Sequence, residues 1–143
     1  SRLDPSKFVS SQSFTMASNQ QQIEQIGRAF VSHYYTTFDK DRSQLGPLYQ
    51  PQSLLSFEGA NFVGPQQIVE KFVSLPFKAL QHEIKSCDCA PSAAGILVFV
   101  TGDLKVDGEA NPLKFSQVFL LIPVQPNTSN FYVHNDVFRL NYG

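Results

Sequence analysis

Around Pro76 the spacing of the apolar residues changes from a helical to an extended period. From Pro65 onward, apolar side chains recur every three or four residues, which predicts a short helix with proline at its first position. Pro76 ends that helix, because proline disfavours a helical conformation in the residue before it. Beyond it, Leu80, His82 and Ile84 alternate with polar residues, as in a strand with one buried face. A sheet-forming second half is therefore expected to follow a mainly helical beginning.

The remaining segments complete an α+β pattern. A helix is predicted from Gln20 to about Asp39, because its apolar residues form one narrow stripe. A short second helix, capped by Asp41 or Ser43, should follow it through Leu48. Alternating apolar residues and turn residues predict six strands, at 54–57, 60–63, 80–90, 96–106, 113–122 and 131–140. We expect the helices to pack on a curved antiparallel sheet.

The last two predicted strands are apolar on both faces. Alternation divides the first of them into Phe115, Phe119 and Leu121 on one face and Val118, Leu120 and Ile122 on the other. It divides the second into Phe131, Val133 and Val137 against Tyr132, Phe138 and Leu140. An antiparallel sheet commonly presents one polar face to water. Since the helices can cover only one face, a second protein, most simply another copy of the chain, is expected to cover the other.

The composition indicates one globular domain and argues against several classes of protein. The chain has 143 residues, 42% of them hydrophobic, which suffices for a single core. Its net charge of −1 argues against nucleic-acid binding, and no apolar run approaches the roughly 20 residues of a membrane span. Residues 1–15 are rich in serine, lack periodicity and precede the only methionine, so we interpret them as a cloning remnant or disordered tail. Residues 16–143 then form the domain.

The residues that commonly carry chemistry are scattered. Cys87 and Cys89 are interpreted as small packing residues in a reducing compartment, because such near neighbours rarely reach disulfide geometry. His82 is interpreted as a core histidine. The chain has neither a phosphate loop nor a nucleophile elbow, and no His or Cys pairs stand at metal-binding spacing.

Two charged residues have apolar neighbours in the sequence. Glu58 follows Phe57, and a carboxylate in apolar surroundings is costly unless it is paired or lies at a rim, so Glu58 is a candidate functional residue. Arg139 lies between two apolar residues and is expected to pair with Asp136 or Asp39.

Several blocks of the sequence closely resemble the nuclear transport factor 2 family. The blocks are FDKDRSQLG at 38–46, IVEK at 68–71, SLPF at 74–77, QH at 81–82 and FRL at 138–140, within a match that runs essentially without gaps from about residue 23 to residue 142. The resemblance implies a cone-shaped α+β fold, a homodimer formed through the sheets, and neither catalysis, cofactor nor metal. It also implies a function: carrying the GDP-bound GTPase Ran from the cytoplasm through the nuclear pore into the nucleus, while contacting phenylalanine–glycine repeats of nucleoporins.

The same resemblance implies roles for individual residues. An apolar cavity inside an acidic ring receives a phenylalanine and basic residues of Ran. The ring positions correspond here to Glu58, Asp107 and Glu109, and the cavity positions to Phe57, Leu75, Phe77 and Leu80. Ile23 occupies a position that is Trp in animal members and contributes to the nucleoporin-repeat site. Val137 matches a position in the dimer interface.

Two other functions stay open. The fold also serves ketosteroid isomerases and dehydratases, and Tyr34, Asp39 and His82 could form a catalytic group in the cone. A buried carboxyl group there with a strongly raised pKa would favour such an enzyme. The other alternative is a light chain that forms a heterodimer with an mRNA-export receptor, against which homodimerisation would argue.

Overall fold

The computed structural model describes residues 20–126 and 130–141, so the interpretation of residues 1–15 concerns a segment outside this range. Helix α1 spans Gln20–Asp41, a 3-10 helix spans Arg42–Leu48, and helix α2 spans Gly64–Val73. The strands are β1 (Tyr49–Phe57), β2 (Ala60–Val63), β3 (Leu80–Pro91), β4 (Ile96–Val106), β5 (Leu113–Pro123) and β6 (Phe131–Asn141). The predicted α+β architecture is confirmed.

Local sequence explains most of the element ends. The carboxylate of Asp41 accepts a hydrogen bond from the backbone nitrogen of Ser43 at 3.1 Å, so Asp41 caps the 3-10 helix. Pro65 lies in the first turn of α2, as predicted. However, β1 begins at Tyr49, well before the predicted start of that strand. Tyr49 pairs with Val133 of β6, a contact between distant residues that leaves no local signal in the sequence.

The sheet has the strand order β2-β1-β6-β5-β4-β3. Neighbouring strands are antiparallel except β1 and β6, which run parallel. The expectation of a wholly antiparallel sheet is therefore wrong for this one pair. β1 and β6 come from opposite ends of the sheet-forming chain, so no hairpin fixes their relative direction.

Helix α1 packs across one face of this sheet. Its buried residues are Ile23, Ile26, Gly27, Val31, Tyr34, Tyr35 and Phe38. The helix approaches β3 so closely that a Cβ atom at Gly27 would collide with the sulfur of Cys89. Cys87 and Cys89 are both buried and free, which confirms their interpretation as packing residues.

A bulge in β6 decides which of its residues face the core. Leu120 of β5 pairs with Asn135, whereas the next residue, Leu121, pairs with Val133, so β6 contains one extra residue at this point. Val133 is consequently buried completely, and Val137 is 42% exposed. The prediction that these two valines share a face is wrong, because strict alternation takes no account of an inserted residue.

The sheet face opposite α1 carries an exposed apolar patch. Phe99, Val118 and Val137 form a row across β4, β5 and β6, and the pair Leu97 and Leu120 lies beside it. Phe99 and Leu97 are 40% and 41% exposed. We call these five residues the apolar patch; it lies on the face where the sequence predicts that a second protein binds.

Candidate functional site

An apolar cavity opens between the helices and the sheet. Its volume is about 70 Å³, and about 540 Å³ when the open mouth and the solvent in it are included. Its lining consists of Tyr34, Phe38, Phe57, Phe72, Leu75, Phe77, Leu80, His82, Leu104, Leu113, Gln117, Phe138 and Leu140. The structure thus brings all four residues assigned to a cavity, Phe57, Leu75, Phe77 and Leu80, into one lining.

The ring of Phe57 is held by aromatic and cationic contacts. It stacks on the ring of Phe138, with 4.7 Å between centroids and 9° between planes. The ammonium of Lys71 lies 5.2 Å from the centroid of Phe57 and 5.7 Å from that of Phe62, within the range of a cation–π interaction. Sequence reasoning missed Lys71, because its position on α2 does not indicate which strands the helix end contacts.

Glu58 lies in the tight turn between β1 and β2. Its φ of +51° is in the left-handed region, and its backbone nitrogen donates to the carbonyl of Phe138 at 3.1 Å. Its carboxylate oxygen Oε2 accepts a hydrogen bond from the backbone nitrogen of Leu140 at 2.5 Å. Since Leu140 lines the cavity, this bond fixes the carboxylate beside the lining.

Asp107 and Glu109 lie in the turn between β4 and β5. The Oδ1 atom of Asp107 accepts hydrogen bonds from the backbone nitrogens of Lys78 and Ala79, at 2.9 and 2.8 Å. Lys78 and Ala79 lie in the chain between Phe77 and Leu80, which both line the cavity. Asp107 therefore adjoins a second part of the lining. Glu109 is exposed and two residues further along. Carboxylates therefore adjoin the cavity at two separate turns.

His82 and Asp39 form a pair that involves two contacts. The ring nitrogen Nδ1 of His82 lies 2.6 Å from Oδ1 of Asp39, and the backbone nitrogen of His82 donates to Oδ2 at 2.8 Å. The side chain of His82 is 3% exposed, which confirms a core histidine with a satisfied partner. Arg139 pairs with neither Asp39 nor Asp136, contrary to the prediction; it is exposed, while both carboxylates bind other groups.

Asp136 is a buried carboxylate that sequence reasoning did not select as a site residue. Its Oδ2 accepts hydrogen bonds from the hydroxyls of Tyr49 at 2.8 Å and Tyr34 at 3.3 Å, and its Oδ1 accepts one from Gln117 at 2.7 Å. Burial raises the pKa of Asp136 from 3.8 to about 6, although these three hydrogen bonds lower it. An acidic residue at an inward strand position could have indicated this network, but β6 carries apolar residues on both faces, so the sequence does not show which face the helices cover.

The residues proposed for an alternative catalytic group are only partly together. Asp39 and His82 are paired, but the hydroxyl of Tyr34 bonds to Asp136 and accepts from Tyr49. Asp136 is absent from the cavity lining. Its carboxylate oxygens are occupied by Tyr34, Tyr49 and Gln117.

Two further assigned residues lie outside the cavity. Ile23 has 0% exposure and belongs to the core, so its side chain offers no surface to a partner in this conformation. Val137 lies in the apolar patch.

Within residues 20–126 and 130–141, no helix is long and apolar enough to cross a membrane, and no cluster of three or more metal-ligating side chains occurs.

The arrangement can bind a protein segment through apolar and charged groups. An apolar cavity can take up an aromatic or aliphatic side chain, and the carboxylates at its edge can bind cationic groups that flank that side chain. The geometry therefore favours a protein segment in which an apolar residue is close to basic residues.

Comparison with known proteins identifies close relatives. Residues 26–140 match the family model for the nuclear transport factor 2 (NTF2) domain. The chain is 52% identical over 119 residues to nuclear transport factor 2B of Arabidopsis thaliana, covering 82% of this chain and 93% of that protein. The structure of nuclear transport factor 2 from Cryptosporidium parvum is 51% identical with a TM-score of 0.78, covering 84% of this chain and 95% of that one.

More distant structures share the fold alone. A protein assigned as a scytalone dehydratase from Novosphingobium aromaticivorans is 11% identical, with a TM-score of 0.71 over 89% of each chain. A chain of the C. albicans Mtr2–Mex67 M domain complex is 16% identical, with a TM-score of 0.63 over 82% of this chain and 94% of that one. The fold therefore occurs with different functions, and the function has to be argued from the site.

Proposed function

Because the chain belongs to the nuclear transport factor 2 family, we propose that it is a non-enzymatic carrier that brings GDP-bound Ran into the nucleus. The observation that carries the proposal is the apolar cavity with Glu58 and Asp107 fixed beside its lining. The family resemblance assigns these same residues to the Ran site. The protein is then expected in the cytoplasm, in the nucleus and at the nuclear pore.

The cavity supplies the apolar part of the binding energy. A phenylalanine of the GTPase enters between Phe57, Leu75 and Phe77, and burying one such side chain contributes about 1.5–3 kcal/mol. Glu58, Asp107 and Glu109 bind the basic residues that flank it. Close ion pairs of this kind contribute on the order of 1.5 kcal/mol or more and fix the register of the partner.

Selectivity for the GDP form requires no contact with the nucleotide. Nucleotide state orders or releases the switch segments of a small GTPase. A carrier that binds a switch segment in its GDP conformation rejects the GTP form, because the required conformation is then absent.

The apolar patch supports a homodimer. Val137 and Phe99 lie in the centre of the sheet with 42% and 40% of their surface exposed, and a second copy would remove this surface from water. Nucleoporin repeats would bind near the beginning of α1. Ile23 would support that surface from the core and would not itself contact the repeats.

An affinity experiment tests the carrier function. We would immobilise the protein and apply Ran loaded with GDP or with a non-hydrolysable GTP analogue; we expect the GDP form alone to be retained. Glu109→Gln should weaken retention severalfold, because it removes an exposed charge from the acidic ring. The matched control is Glu83→Gln, an exposed glutamate on β3 whose contact is Lys85. Failure to retain either form of Ran would reject the proposal.

Neither alternative function, an enzyme that uses the cone or the light chain of a heterodimer, is preferred over the carrier. Asp136 does have a buried carboxyl group with a raised pKa, but its oxygens are bound by protein groups and it does not line the cavity. A heterodimeric light chain would use the apolar patch for a different partner, so a homodimer in solution separates it from the carrier.

A further inference from the structure

The imidazole of His82 has one nitrogen that the protein does not use. Its side chain is 3% exposed, and Nδ1 lies 2.6 Å from a carboxylate oxygen of Asp39. Because a carboxylate oxygen can only accept, Nδ1 carries the proton in this contact. In the neutral ring, the other nitrogen, Nε2, is then a hydrogen-bond acceptor.

Among the described residues, Nε2 of His82 has no hydrogen-bond partner. Nε2 also has some accessible surface. In the part of the chain that the structure describes, Oε1 of Gln22 is the only fully buried side-chain nitrogen or oxygen atom without a partner, so Nε2 is not fully buried. His82 lines two spaces: the apolar cavity, and a surface groove beside α1 that Asp39 also lines. The geometry of the ring directs Nε2 away from Asp39, which lines the groove and not the cavity, so Nε2 is assigned to the cavity side of the ring.

The other polar groups of the cavity lining are occupied. The hydroxyl of Tyr34 donates to Asp136 and accepts from Tyr49. The amide of Gln117 donates to Asp136 and accepts from Tyr35 at 2.5 Å. His82 therefore provides a free acceptor in a lining that otherwise consists of apolar side chains and satisfied polar groups.

We propose that the cavity binds small neutral aromatic molecules that carry one hydroxyl or N–H group, with the ring among Phe57, Phe77 and Leu80 and the polar hydrogen on Nε2 of His82. Ligands of this class fit because the walls are apolar and because the single acceptor selects for one donor. This inference concerns the protein without its GTPase and does not depend on the proposed transport function.

Phenol and toluene are suitable probes, because they differ in the hydroxyl and have nearly the same shape. Titrations of the ¹⁵N-labelled protein would be followed by NMR, with expected shifts at the amides of cavity residues. His82→Asn removes the imidazole acceptor Nε2 and retains a side-chain N–H that can donate to Asp39. We expect it to lower the ratio of phenol affinity to toluene affinity by about fivefold, the size of one net hydrogen bond. His134→Asn, at a histidine outside the cavity lining, should leave the ratio unchanged.

A second measurement uses the unaltered chain. The imidazole ¹⁵N resonance of Nε2 in His82 should move when phenol is added and stay in place with toluene. The proposal is overturned if neither compound binds, if the shifted amides line the groove beside α1, or if the Nε2 resonance responds equally to both compounds. An affinity ratio that His82→Asn leaves unchanged would overturn it as well.

Discussion

The carboxylate of Glu58 accepts a hydrogen bond from the backbone nitrogen of Leu140 at 2.5 Å. This contact joins the turn after β1 to the end of β6, the two strands that form the parallel pair of the sheet. Glu58 therefore stabilises the fold locally, in addition to its proposed charge interaction with a partner. Substitutions that remove the charge and the acceptor separately can distinguish the two roles.

Glu58→Gln keeps an oxygen that can accept from Leu140 and removes the charge. We expect it to weaken Ran-GDP binding and leave the melting temperature nearly unchanged. Glu58→Lys removes the acceptor too, so it should abolish binding and lower the stability by about 1 kcal/mol, because a partly buried N–H loses its partner. Thermal melts and affinity retention of both variants check this; equal melting temperatures would show that the bond to Leu140 contributes nothing.

Asp136 should make the protein less stable as the pH rises. Its pKa is about 6 in the folded state against an ordinary 3.8, so the folded state holds the proton more tightly than the unfolded chain. Below about pH 4 both states are protonated and there is no penalty. Between about pH 4 and pH 6 the unfolded chain ionises first, and the loss reaches about 3 kcal/mol, at about 1.4 kcal/mol for each pH unit between the two pKa values.

Asp136→Asn removes this ionisation. In urea denaturation at constant protein concentration, the free energy of unfolding of the variant should rise relative to wild type by about 3 kcal/mol between pH 4 and pH 7. Asp88→Asn, at an exposed position on β3, is the control. Parallel pH profiles of wild type and Asp136→Asn would show that the network holds Asp136 equally well in both protonation states.

Gly27→Ala should destabilise the protein by about 1–3 kcal/mol, because the new methyl group would collide with the sulfur of Cys89. Cys89→Ala in the same chain removes that sulfur and should restore much of the loss. Chemical denaturation of the two single variants and the double variant gives the coupling energy directly. Additive effects would place the strain elsewhere, for instance at Val98, which also lies near this position.

Val137→Glu should convert the proposed dimer into monomers, because it would place an unpaired charge in an apolar interface. Val73→Glu is the matched control, since Val73 is 49% exposed on α2 and lies outside the apolar patch. Sedimentation should report monomers for the first variant and dimers for the second. A dimer that persists in Val137→Glu would mean that the copies meet through another surface.

Much of the fold and part of the site could be predicted from the sequence. The period change at Pro76 and the cap at Asp41 are local features, and each has a local structural consequence. The four apolar cavity residues follow from the family resemblance. In contrast, Lys71 contacts Phe57 only because α2 packs beside β1, and Asp136 is recognisable as buried only once it is known which of the two apolar faces of β6 the helices cover.

The sequence by itself determined the order and type of the elements, because hydrophobic periodicity and turn residues act over a few positions. The tertiary structure decided the parallel pairing of β1 with β6, the face on which Val133 lies, and the partners of Glu58, Arg139 and Asp136. These depend on contacts between residues distant in the chain. A bulge of one residue in β6 is enough to exchange the buried and exposed faces beyond it.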